Sequence, residues 1–120
     1  YISNSTHIIT LTMLSTSLSK PVKSICVVGA GAAGLIALHE FRQSGFSVTA
    51  LEMLGHVGGI WKSMNSNAIY DSLVTNLPKE VMAISEEFPF RESLPSFVHH
   101  SDVNEYLHNF AEQNQLLDSI

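Results

Sequence analysis

The sequence predicts an α/β fold in which one βαβ unit starts a parallel sheet, and three stretches carry that prediction. Residues 24–29, Ser-Ile-Cys-Val-Val-Gly, form a short β-branched apolar run that ends in glycine, the pattern of a strand buried on both faces. Residues 32–44 place Ala33, Ala37, Leu38 and Phe41 on one side at helical spacing, with Leu35 beside them, and Ser44-Gly45 supplies the stop. Residues 46–52, Phe-Ser-Val-Thr-Ala-Leu-Glu, alternate loosely and read as a second strand. Strand, tight turn, helix and strand thus fit within about 28 residues.

Beyond this unit the chain is less regular. Residues 53–80 hold Gly55, Gly58, Gly59, Asn65, Asn67, Asn76 and Pro78, which is loop chemistry. Residues 85–100 carry Pro89 and Pro95 among Phe88, Phe90 and Phe97, an ordered loop pinned by aromatics. A second helix is expected over 102–115, capped by Ser101. Its apolar stripe is Val103, Tyr106, Leu107, Phe110 and Ala111.

Composition narrows the class. The chain has 120 residues, 45% of them hydrophobic and only 14% charged, about half the usual charged share. A small chain this apolar is expected to be part of a larger fold. Residues 1–20 read as a disordered leader, and residues 21–120 as the domain. The leader has no basic residue before Lys20, so a truncated signal is the lesser reading. Asn4-Ser5-Thr6 fits a glycosylation acceptor, which matters only in a secreted protein, and Met13 is a candidate natural start. The net charge of −5 is spread without a basic patch, which argues against nucleic acid as a partner. No apolar run reaches membrane-spanning length. The single cysteine, Cys26, lies inside the first strand and is expected to be buried and inert. Adjacent His99 and His100 are expected to point apart on an extended chain, and no set of metal ligands is completed by the six histidines. The compartment stays open between cytoplasm, endoplasmic reticulum and secretion.

Gly29-Ala30-Gly31-Ala32-Ala33-Gly34 matches G-x-G-x-x-G between a strand and a helix, the context that gives this short motif its meaning. Gly29 permits the tight turn, Gly31 lets a pyrophosphate approach the backbone, and Gly34 lets helix and strand pack closely. The helix N-terminus offers free N–H groups and a positive dipole end to phosphates. Glu52 closes the second strand, where a carboxylate accepts hydrogen bonds from ribose hydroxyls and repels a 2′-phosphate. The residues from 25 to 52 therefore read as a Rossmann-like site for FAD or NAD, with a structural turn as the alternative.

The next residues separate the two cofactors. Glu52-Met53-Leu54-Gly55-His56-Val57-Gly58-Gly59-Ile60-Trp61 resembles the loop of flavoproteins with two dinucleotide-binding domains. Tyr70-Asp71-Ser72-Leu73-Val74-Thr75-Asn76-Leu77-Pro78-Lys79-Glu80-Val81-Met82, followed by Phe88-Pro89-Phe90, is similar to the flavin-containing monooxygenase family. The resemblance covers residues 24 to about 117. It implies an FAD-binding βαβ unit, incomplete in this chain, with Gly59 and Ile60 against the cofactor and Trp61 near the flavin. Asn76 matches the family asparagine beside the flavin, and Thr75 and Leu77 would add backbone contacts. On its own, Asn76 reads as a turn residue before Leu77-Pro78, and Trp61 fits core packing equally well.

The resemblance also implies a mechanism. NADPH, bound at a second site outside this chain, reduces FAD. The reduced flavin takes up molecular oxygen as a hydroperoxide, and a soft nucleophile such as an amine or a sulfide attacks the outer oxygen. The flavin carries the hard chemistry, while the protein orients it and keeps the pocket dry. The isolated chain is expected to be inactive. A non-catalytic, truncated nucleotide-binding fragment and another FAD- or NAD-linked oxidoreductase remain the alternatives.

Overall fold

The computed structural model describes residues 24–62 and 69–120. The leader with its Asn4-Ser5-Thr6 and Met13, and the loop residues Asn65 and Asn67, lie outside the described residues. The βαβ unit consists of β1 (Ser24–Val28), α1 (Ala32–Gln43) and β2 (Ser47–Leu51). The strands pair in parallel, from Ser24 opposite Ser47 to Val28 opposite Leu51. The Gly29 N–H donates to Leu51 O at 2.7 Å and carries the ladder one step past β1.

The sheet has one covered face. Val48 and Ala50 are buried, with Ile25 and Val27 packed against the same core. Ser24, Cys26 and Val28, and across from them Ser47, Thr49 and Leu51, are exposed. This corrects the expectation of a strand buried on both faces, and with it the expectation of a buried Cys26. Helix α1 lies against one side of the sheet and the long helix at His100–Gln113 packs on α1, and nothing among the described residues covers the outward side chains of the other face. The inward face of α1 also differs: Leu35 and Leu38 are fully buried, whereas Ala33 and Phe41 are exposed. Phe41 belongs instead to the C-terminal cap of the helix.

That cap is a Schellman turn. Gly45 is left-handed at φ +85°, the Phe46 N–H donates to Phe41 O at 3.1 Å, and the two rings meet edge to face. A 3-10 turn at Gly59–Trp61 and the short helix α2 (Lys79–Met82) precede α3 (His100–Gln113). Helix α3 starts earlier than the sequence predicts. His99, not Ser101, is the capping residue, and its Nδ1 accepts from the Ser101 N–H. His99 caps while His100 opens the helix, so the two rings lie 4.3 Å apart instead of diverging.

The predicted stripe on α3 is the centre of the core. Val103, Leu107, Phe110 and Ala111 are buried, and half-buried Tyr106 stacks on Phe90 at 3.8 Å. Phe88 meets Phe110 edge-on, so two of the three loop phenylalanines pin the 85–100 segment; Phe97 is exposed. The Tyr106 hydroxyl donates to Phe88 O and accepts from the Ile84 N–H at 2.8 Å, which joins the same loop to α3. At the far end, Arg42 of α1 donates to Gln115 O at 2.7 Å. No helix among the described residues is long and apolar enough to cross a membrane.

Candidate functional site

The corner between β1 and α1 is made by residues that leave no room for side chains. Gly29 is left-handed at φ +93°, a conformation that L side chains rarely adopt. A Cβ at Gly34 would lie 1.9 Å from Gly29 O, so only glycine lets α1 start this close to the strand. Gly31 differs from both. Its φ of −74° and ψ of −174° suit any residue, and a Cβ there would meet only the Gly59 Cα, at an ordinary 3.6 Å. Nothing inside the fold demands a glycine at position 31.

The first turn of α1 lacks the devices that usually satisfy a helix start. Gly31, as its cap, has no side chain to accept from the turn, and the turn holds no acidic residue. Helix α3, by contrast, has the His99 cap and Asp102 in its first turn. The positive end of α1 is therefore presented outward.

Glu52 stands at the other side of this corner. Its carboxylate accepts from the Ala30 N–H at 2.6 Å and from the Leu54 N–H at 2.8 Å. These bonds, Leu54 first and Ala30 second, hold its pKa below the ordinary 4.5. The structure thus joins Glu52 to the glycine corner across 22 residues and keeps it ionised. Beyond it opens a cleft of about 440 Å³ whose lining includes Glu52, His56, Lys62, Asn104 and His108.

The Gly58-Gly59 pair folds back onto the same corner. The Gly58 N–H donates to Ala30 O at 3.0 Å, and a Cβ at Gly59 would meet the Gly31 Cα at 3.0 Å. Gly58 is left-handed at φ +109° and closes on the Asn104 side chain of α3. Ile60 is exposed, while Trp61 is half-buried and packs on the core. A small cavity lined in part by Ala32, Trp61, Tyr106 and Leu107 adjoins it. For Trp61 the packing role is therefore the one visible in the fold.

The 75–77 bend is a separate assembly. Thr75 is buried, its N–H donates to Val98 O at 2.9 Å, and its Oγ1 donates to Leu77 O at 2.8 Å and accepts from the Val98 N–H at 3.1 Å. The Thr75 N–H and the Leu77 carbonyl are thus engaged internally. Asn76 and Leu77 are exposed, and among the described residues Asn76 makes no side-chain hydrogen bond. Sequence reasoning missed Gly58 and Asn104. The first was visible only as half of a Gly-Gly pair, and the second as an ordinary polar residue. Among the described residues no group of three His, Cys, Asp and Glu side chains converges as a metal site.

Comparison with known proteins agrees with this architecture. The family model described as flavin-binding monooxygenase-like matches residues 22–120. Flavin-containing monooxygenase 3 of Oryctolagus cuniculus is 35% identical over 103 residues, which is 82% of this chain and 19% of that protein. Flavin-containing monooxygenase 2 of Homo sapiens is 37% identical over 103 residues, with the same coverage. Among solved structures, the S-allyl-L-cysteine S-oxygenase of Allium sativum superposes with a TM-score of 0.72 at 29% identity, covering 82% of this chain and 27% of that one. A steroid monooxygenase bound to NADP superposes with a TM-score of 0.68 at 27% identity, covering 82% of this chain and 18% of that one. The chain thus spans about a fifth of the length of the curated relatives it matches. Its α/β unit is the partial Rossmann-like unit of such flavoproteins, and the chain belongs to the flavin-binding monooxygenase-like family.

Proposed function

We propose that this chain is the N-terminal FAD-binding portion of an NADPH-dependent flavin monooxygenase that oxygenates soft nucleophiles, amine nitrogen or sulfide sulfur. The observation that carries the reading is Gly31. The fold itself tolerates a methyl group there, yet the position faces the uncapped start of α1 and stays bare. Bare backbone beside unsatisfied N–H groups and a positive helix end suits a pyrophosphate.

In this reading the residues Gly29, Ala30, Gly31, Ala32, Ala33 and Gly34 hold the phosphates, with the first-turn N–H groups as donors. Glu52 holds the adenosine ribose. Its two oxygens are oriented by Ala30 and Leu54, and each retains accepting capacity for a hydroxyl. Gly59 and Ile60 line the path of the cofactor, and Trp61 anchors that turn to the core. Asn76, with Thr75 and Leu77 setting its bend, offers an amide that donates to and accepts from polar atoms at the flavin end. Bound FAD supplies the redox and oxygen-transfer chemistry, with NADPH as reductant and molecular oxygen as co-substrate. Support for the oxygenase class comes from the family match and from relatives named as monooxygenases and, in one structure, as an S-oxygenase. In this reading NADPH binds at a second site outside these residues.

The test is flavin retention. The purified protein, incubated with FAD and desalted, is expected to stay yellow, and Gly31→Ala is expected to fold normally and lose the colour. A Gly31→Ala protein with full flavin content would overturn the phosphate assignment. A wild-type chain that never retains FAD would favour a nucleotide-free binding module instead.

A further inference from the structure

Lys79 is only 9% exposed, yet none of the described carboxylates pairs with it. Its ammonium has three N–H groups, and all three go to backbone: to Arg91 O at 2.9 Å, Glu92 O at 3.0 Å and Leu94 O at 2.5 Å. Its own backbone N–H donates to Ser96 O at 2.6 Å. A buried cation is costly unless its hydrogen bonds are met, and here three carbonyl dipoles meet them. A neutral side chain of the same length would leave those carbonyls without a donor.

Between this knot and the Thr75–Val98 ladder lies the bend that carries Asn76. The Thr75 end is tied by three hydrogen bonds and the Lys79 end by four. Glu80 adds a contact, accepting from Ser96 Oγ at 3.1 Å. Asn76 is thus an exposed residue on a segment clamped at both ends. We propose that Lys79 is the positioning residue of this bend: by gathering the carbonyls of 91–94 it fixes where Asn76 presents its amide. That the amide faces a flavin rests on the functional reading above. The clamping itself does not.

Amide hydrogen exchange separates the two. In Lys79→Met, exchange at Thr75 and Val98 is expected to accelerate about ten-fold or more, while Gly29, Leu35 and Leu38 keep their rates. Unchanged rates at Thr75 and Val98, or an equal acceleration everywhere, would overturn the positioning role. Should Lys79→Met fail to fold, Lys79→Cys in a Cys26→Ser background is alkylated in denaturant and refolded. An aminoethyl group, which rebuilds the ammonium, is expected to restore slow exchange at Thr75, and a propyl group is not. Equal behaviour of the two adducts would overturn the role. With FAD added, the visible circular dichroism of the flavin is expected to change in Asn76→Ala and in Lys79→Met, with no further change in the double variant. Additive changes would break the link between Lys79 and Asn76. Intact exchange behaviour in a chain that retains no FAD would support the clamp and overturn the flavin reading.

Discussion

A methyl group added at Gly34 would sit 1.9 Å from Gly29 O, whereas one added at Gly31 would meet only the Gly59 Cα at 3.6 Å. The motif assigns Gly34 to packing and Gly31 to a ligand, and within the fold only position 34 forbids a methyl group. Gly34→Ala is expected to cost about 3 kcal/mol, because backbone must move to admit it; urea unfolding beside Gly31→Ala, expected near wild type, checks this. Equal losses in the two would refute the distinction. Glu52 adds a pH dependence. Its carboxylate is held below the ordinary 4.5 by the N–H groups of Leu54 and then Ala30, so the unfolded chain binds the proton more tightly. The resulting stabilisation is full above the ordinary value and is lost as pH falls through the depressed folded one. Thermal melts of wild type and Glu52→Gln should therefore converge in acid and diverge towards neutrality. The strand-end position of Glu52 was legible in the sequence as a ribose acceptor. Its bond to Ala30 was not, because a contact across 22 residues depends on how the strand meets the turn.

At the scale of elements, the two long helices end by the same turn with different residues. Helix α1 uses Gly45, and Phe46 closes on Phe41. After α3, Gln115 takes the left-handed position at φ +53°, the Leu116 N–H donates to Ala111 O at 2.9 Å, and Leu116 is buried. A side chain there bears the left-handed strain that glycine avoids, while glycine loses more entropy on folding. Gln115→Gly is expected to stabilise the chain by about 0.5 kcal/mol net, read as a raised urea midpoint at constant slope. Since Arg42 bonds the Gln115 carbonyl, that tie survives the change. Tyr106→Phe should act in the opposite direction. It would strip the Ile84 N–H and Phe88 O of their partner, at about 2 kcal/mol. The α3 stripe was legible because five apolar residues repeat at helical spacing. The His99 cap was not, since a histidine accepts at a helix start only when its neighbours fix the ring, and here Asp71 O and Ser101 do so.

For the whole molecule, the decisive asymmetry is the sheet with one covered face. The apolar run at 24–29 reads as a doubly buried strand, and composition alone cannot say which layer is supplied by residues within the chain. The core gathers under Ile25, Val27, Val48 and Ala50, while Val28 is 84% exposed and Met53 just beyond β2 is 93% exposed. Cys26 stands on that same outer face, opposite Thr49. Its reactivity therefore reports the architecture. A thiol inside a doubly covered strand would wait for an opening of about 5 kcal/mol, which slows labelling by roughly a thousandfold or more. An outward thiol needs no opening. Ellman's reagent is expected to label Cys26 in the native chain at a rate close to that of the urea-unfolded chain, and destabilising variants such as Tyr106→Phe should leave the native rate unchanged. Labelling that is slow, and that quickens in step with the lost stability of Tyr106→Phe, would mean that the outer face is covered and that the one-sided core assigned to this chain is wrong.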